Sequence, residues 1–116
     1  TSLATMLSGM AHPQLSKTMK AIHENPEMPW TVDSMAEKAL MSRAKFAALF
    51  KETIAQSPND YLTDLRIAIA QGLLKKDMPV SIVANEVGYE HGSALARVFR
   101  KKIGISPKEW LSKFKK

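Results

Sequence analysis

Cysteine is missing from all 116 residues. That removes both a disulfide framework and a thiolate metal site, and it leaves a reducing cytoplasm as a compatible compartment. No apolar run approaches the roughly 20 residues that a membrane-crossing helix needs, and no signal peptide is visible. Histidine is scarce and scattered: His12 stands near the N-terminus, His23 in a helical stretch and His91 ahead of a basic helix, none with carboxylates at a metal-ligand spacing. The few glycines form no phosphate-cradling loop, and no nucleophile stands beside a base. The chain is therefore expected to be neither an enzyme nor a carrier of any cofactor. It begins at Thr1 rather than Met, which leads us to expect either a piece of something longer or a processed chain.

Acidic residues are short in one region only. Arg97 to Lys116 carries eight Lys or Arg against one Glu, whereas residues 1–96 carry nine Lys or Arg against ten Asp or Glu. The formal charge of +6 thus belongs to the C-terminal end, which either touches phosphate or solubilises a terminus; a helix-turn-helix beside it favours phosphate. Hydrophobic residues at 45% and charged residues at 24% are the balance of a globular domain, not of a disordered tail.

What is abundant is repetition. The stretch from Val80 to Leu111 restates the one from Val32 to Leu62. Val32 and Ala36 pair with Val80 and Ala84. After a one-residue insertion in the second copy, Ala47, Phe50, Ile54, Ser57, Pro58 and Leu62 pair with Ala96, Phe99, Ile103, Ser106, Pro107 and Leu111. The matched types are small, apolar or helix-starting, which is what two close helices joined by a turn require. Each copy reads as a helix-turn-helix.

Residues 1–11 read as a linker or frayed N-terminus, and 12–116 as the domain proper. Pro13 opens a support helix with Leu15, Met19 and Ile22 at helical spacing, ended by Asn25-Pro26. The first helix-turn-helix spans 31–56. Thr31 is its N-cap, Trp30 and Met35 stand at the positions of a hydrophobic staple, and Ser42 caps a recognition helix that turns Phe46, Leu49 and Phe50 inward. A linker helix over 57–77 opens at Ser57-Pro58 and places Tyr61, Leu62, Leu65, Ile69 and Leu73 on one face. At roughly 27 Å it serves as a stiff spacer. The second helix-turn-helix spans 80–103, with a first helix near Ser81–Val87, Gly88 supplying positive φ in the turn, and a recognition helix from His91 or Gly92 to Lys102. Leu40 occupies the place of Gly88 in the first copy, so either a different turn or backbone strain is expected there. A closing helix over 106–115 begins at Ser106-Pro107-Lys108-Glu109 as a capping box and carries Trp110 and Phe114.

In such a unit the N-terminal part of the second helix presents side chains to the major groove. In the second copy Leu95, Val98 and Phe99 belong to the core, leaving His91, Gly92, Ser93, Ala96 and Arg97 on the groove side. Arg97 is the leading candidate for base readout, because a guanidinium can make a bidentate contact to guanine; Gly92, Ser93 and Ala96 accompany it. In the first copy Ala44, Ala47 and Ala48 face the groove, a surface suited to thymine methyls rather than to hydrogen bonds. Arg43, Lys45, Lys51, His91, Arg100, Lys101, Lys102 and Lys108 are the phosphate candidates, of which Arg43, outward with the three alanines, and Lys45 can either hold phosphates or reach a base.

These residues resemble the DNA-binding domain of the AraC/XylS family of bacterial transcription regulators over residues 13–114. The resemblance is strongest in Ile82-Val83-Ala84, Val87-Gly88-Tyr89, Ser93, Leu95, Arg97, Phe99-Arg100-Lys101, Gly104 and Ser106-Pro107. Pro29-Trp30-Thr31-Val32 and Met41-Ser42-Arg43 are similar to members that carry an N-terminal cupin-like effector domain. The sequence departs from the pattern at Leu40, at Leu95 and Ile103, and at Ala47-Ala48. The resemblance implies an all-α domain of about seven helices, two helix-turn-helix subdomains joined by a long linker helix. It implies insertion of two recognition helices into adjacent major-groove segments of double-stranded DNA, transcriptional activation or repression, contact with RNA polymerase, and an effector-binding domain outside this chain. A helical protein-interaction module without specific DNA binding is the alternative; it would show apolar recognition faces and no salt-dependent affinity for DNA. RNA is disfavoured by the lack of exposed aromatic platforms.

Overall fold

The computed structural model describes residues 12–114, and among them the chain forms seven helices and no strand. They are α1 (Pro13–Glu24), α2 (Val32–Lys38), α3 (Arg43–Ile54), α4 (Pro58–Lys75), α5 (Val80–Glu86), α6 (Gly92–Ile103) and α7 (Pro107–Phe114). The all-α architecture with two helix-turn-helix pairs, α2–α3 and α5–α6, is the expected one. The presumed linker at 1–11 and the last residue of the 106–115 span lie outside the described residues.

Helix starts follow the local chemistry. The Thr31 hydroxyl accepts from the Ser34 amide at 3.1 Å while the Ser34 hydroxyl accepts from the Thr31 amide at 2.9 Å, a reciprocal box closed by serine at N3. Ser42 accepts from the Lys45 amide at 3.3 Å and Ser57 from the Asp60 amide at 3.2 Å. Ser106 accepts from the Glu109 amide at 3.1 Å, but its hydroxyl then donates to the Glu109 carboxylate at 3.3 Å, a variant of the expected box. Pro13 stands in the first turn of α1, where a missing N–H costs nothing.

The turns repeat bond for bond. The Met41 amide donates to Ala36 O at 3.1 Å, and the Tyr89 amide donates to Ala84 O at 2.8 Å. The Leu40 amide reaches Glu37 O at 3.0 Å and the Gly88 amide reaches Asn85 O at 3.2 Å. This geometry demands positive φ at the second residue after the helix, the one following the C-cap. Gly88 has φ +99°, and Leu40 takes φ +57°. Of the two outcomes open at Leu40, the same turn with strain is the one realised. The pattern recurs at the recognition-helix ends, where Ala55 has φ +67° in the place of Gly104 at φ +98°. The sequence reading missed that second strained position.

The described residues divide inside α4, between Leu65 and Arg66, into two compact units. In the first, α1 contributes Leu15, Thr18, Met19 and Ile22, α2 Met35 and Ala36, α3 Phe46, Phe50 and Ile54, and α4 Tyr61, Leu62 and Leu65, all buried. Thr18 Oγ1 donates to Met35 O at 2.8 Å, so its burial satisfies rather than strands a hydroxyl. Trp30, nearly buried, donates its indole N–H to Asn25 O at 2.8 Å, consistent with a structural role. In the second unit Ile67, Ala70 and Leu74 from α4 pack with Val83, Ala84, Val87, Leu95 and Phe99.

The single buried stripe expected along the linker helix is therefore corrected. Ile69 and Leu73 are only partly buried, and Ile67, Ala70 and Leu74 take their place, because the two halves of α4 belong to two cores. The first half repeats α7: Tyr61 meets Phe50 edge-on at 5.6 Å, as Trp110 meets Phe99 at 5.8 Å. The second half repeats α1: Ile67, Ala70 and Leu74 share the spacing of Leu15, Thr18 and Ile22. The architecture is helix, helix-turn-helix, helix, twice over, with one helix held in common.

Leu40 is 75% exposed, so its side chain recovers little by packing, and Leu40→Gly should raise stability by about 1 kcal/mol in chemical denaturation. Gly104→Ala should lower it by a similar amount, since φ +98° disfavours a Cβ. Separately, His23 Nε2 lies 2.6 Å from Tyr61 Oη. Burial pushes the His23 pKa below 6.5 and the Tyr61 pKa up to about 12. A histidine depressed in the folded state binds fewer protons than its unfolded form just below pH 6.5. Its contribution is complete above that pH and is lost as the pH falls through the folded value. The melting temperature should thus drop on acidification, and His23→Gln should flatten that limb.

Candidate nucleic-acid interface

Two recognition helices are positioned by buried aromatic and aliphatic anchors. In α3, Phe46 and Phe50 are fully buried 5.6 Å apart, which turns Arg43, Ala44, Lys45, Ala48 and Lys51 to the surface and leaves Ala47 half-buried. In α6, Leu95 and Phe99 are fully buried and Val98 partly so. Ser93, Arg97, Arg100, Lys101 and Lys102 are exposed, while Ala96 is half-buried. Ala47 and Ala96 hold equivalent places at the edge of each helix face.

Gly92, the first residue of α6, is half-buried; a Cβ built there would be in ordinary van der Waals contact with Val80 Cγ1 at 3.5 Å and the Ser81 backbone at 3.6 Å. His91 is the N-cap of α6 and makes no side-chain cap; its Nε2 lies 3.9 Å from the Glu90 carboxylate, both side chains well exposed.

Arg97 and Arg100, with Ala96 and Ser106, line a concavity of about 400 Å³ where α6 meets the start of α7. Arg100 Nη2 stands 3.5 Å from Glu109 Oε1. Lys108 lines a second concavity with Glu109, Ser112 and Lys113. Lys102 acts on a different group. Burial raises the Tyr89 pKa, and the charges of Arg66 and Lys102, with a hydrogen bond from Arg66, oppose that rise; the Arg66 guanidinium lies 5.5 Å from the Tyr89 ring centroid. In the first unit Arg43 Nη1 lies 3.6 Å from Asp33 Oδ2. Three of the phosphate candidates, Arg43, His91 and Arg100, thus have carboxylate neighbours. Sequence reasoning missed the pairing of Asp33 with Arg43, since the two belong to different helices of the motif.

Among the described residues no group of three His, Cys, Asp or Glu could hold a metal ion, and no helix is long and apolar enough to cross a membrane. The surface can supply guanidinium, ammonium, hydroxyl and methyl groups on two exposed helix faces, a set suited to phosphates and base edges rather than to bond-making chemistry.

Two bond-for-bond equivalent turns, each presenting a recognition helix, define a helix-turn-helix domain. Residues 35–113 match the family described as "Helix-turn-helix domain". The transcriptional regulator AlkR of Acinetobacter baylyi is 40% identical over 105 residues, covering 90% of this chain and 34% of that protein. A Streptomyces antibioticus protein named as AraC-like transcription regulator is 36% identical over 105 residues, covering 90% and 35%. Among solved structures, the DNA-binding domain of AdpA superposes with a TM-score of 0.83 at 28% identity, covering 89% of this chain and 94% of that one. The chain belongs to the AraC type of helix-turn-helix DNA-binding domains, which are not enzymes. It spans about a third of the length of the curated relatives it matches.

Proposed function

We propose that the domain binds double-stranded DNA sequence-specifically and serves a transcription regulator, activating or repressing, by inserting α3 and α6 into adjacent major-groove segments, with α4 as the stiff element joining them. The observation that carries this is the exposed face of α6, where Arg97, Arg100 and Lys101 stand on a helix anchored by Leu95 and Phe99. The AdpA structure, titled as a complex with a target DNA, and the name of AlkR as a transcriptional regulator support the same reading. An N-terminal effector-binding domain beyond this chain, contact with RNA polymerase and a cytoplasmic location complete the proposal. The two units differ in their means. The second reads bases through Arg97 with Gly92, Ser93 and Ala96, whereas the first presents Ala44, Ala47 and Ala48 to methyl groups. Lys45, Lys51, Lys101, Lys102 and Lys108 hold the backbone, with Arg43, His91 and Arg100.

The test is titration against duplex DNA at several salt concentrations. With about six phosphates neutralised, the log–log slope should be near −5; a slope near zero would instead favour a protein-interaction module. On a selected site, Arg97→Ala should cost about 1–3 kcal/mol and relax preference at one base pair. Lys101→Ala should weaken all sequences alike. Retention of the original preference by Arg97→Ala would assign base readout elsewhere.

A further inference from the structure

The first unit has few hydrogen-bonding groups on its reading face. Ala44, Ala47 and Ala48 take the outward places, and the Ser42 hydroxyl already accepts the Lys45 amide. Arg43, the first residue of α3, is exposed at the end of the helix that approaches base edges. The preceding helix places a carboxylate beside it: Asp33, in the first turn of α2, has Oδ2 3.6 Å from Arg43 Nη1, with both side chains 66% exposed. The start of the second recognition helix has no matching pair: Gly92 stands where Arg43 does, and the arginine with a carboxylate from another helix there is Arg100, near the helix end, 3.5 Å from Glu109. Ser81 stands where Asp33 does, and the carboxylate neighbour of His91 is the adjacent residue, Glu90.

Two physical effects bear on this pair. A free arginine must give up considerable side-chain entropy to present its planar fork, and a partner that fixes the fork beforehand reduces that loss. A carboxylate beside a DNA-contacting arginine is repelled by the phosphate backbone, so it does not raise affinity by itself. Five N–H donors leave a second edge of the guanidinium free after one nitrogen meets Asp33.

We propose that Asp33 is a positioning residue for sequence readout by the first unit, orienting Arg43 so that its remaining N–H edge reads a guanine rather than a phosphate. This rests on the DNA-binding reading above. It moves Arg43 from backbone contact to base contact and makes the first unit's specificity depend on a residue outside its recognition helix.

The experiment is binding-site selection with the 116-residue chain, followed by titration of the selected duplex and of each single-base variant. The proteins are wild type, Asp33→Ala, Asp33→Asn, Arg43→Ala and the Asp33→Ala/Arg43→Ala double variant. Arg43→Ala should abolish discrimination at one G·C pair, a loss of about fivefold or more. Asp33→Ala and Asp33→Asn should reduce discrimination at that same pair by about threefold, the scale of an exposed ion pair, while leaving other positions and the salt slope unchanged. The double variant should match Arg43→Ala. A purely structural role for Asp33 would lower the melting temperature and weaken all sequences together, so base preference at a single pair separates the two. The proposal is overturned if Asp33→Ala tightens binding to all sequences with preference intact, which would make Asp33 a mask, or if Arg43→Ala weakens every sequence equally, which would make Arg43 a phosphate contact. Absence of salt-dependent binding by the wild type would reject the DNA-binding reading itself, and with it this one.

Discussion

Each unit depends on a backbone turn in which the second residue after the first helix, Leu40 or Gly88, is left-handed and the next amide donates back across the helix end to Ala36 or Ala84. That bond fixes where the second helix starts, and hence which of its faces is buried and which is presented. The alanine at its acceptor end is itself buried in both units, where a larger side chain would have to displace its packed neighbours. The exposed placement of Arg97 and of Arg43 descends from this constraint more directly than from any property of those arginines.

Glycine accommodates the turn without strain in the second unit, and leucine accommodates it with strain in the first. The same contrast recurs at the recognition-helix ends, with Ala55 against Gly104. The two copies therefore share hydrogen bonds and aromatic contacts while differing in backbone strain. This divergence accompanies the difference in their surfaces, alanine-rich in one and arginine-bearing in the other.

Most of the fold was legible because the signals are local. Thr31, Ser42, Ser57 and Ser106 accept amide hydrogen bonds at the helix starts, Gly88 marks a turn, and Phe46, Phe50, Leu95 and Phe99 repeat at helical spacing. The allocation of α4 between two cores was not legible. Ile67 and Ile69 are equally hydrophobic, and only tertiary packing decides that Ile67 is buried and Ile69 partly so. In the interface, exposure of Arg97, Arg100 and Lys101 could be read from the core pattern. The approach of Asp33 to Arg43 could not, because it depends on how the neighbouring helix is placed.

The shared helix also determines how the molecule can be divided. Severing the chain near residue 57 would strip Tyr61, Leu62 and Leu65 from the first core, and severing it near residue 77 would take Ile67, Ala70 and Leu74 from the second. A cut between Leu65 and Arg66 leaves each fragment its own buried residues but ends both in the middle of a helix, exposing amides and carbonyls that had been paired. The duplication evident in the sequence therefore offers no clean seam: either half, taken alone, inherits an incomplete core or a frayed end.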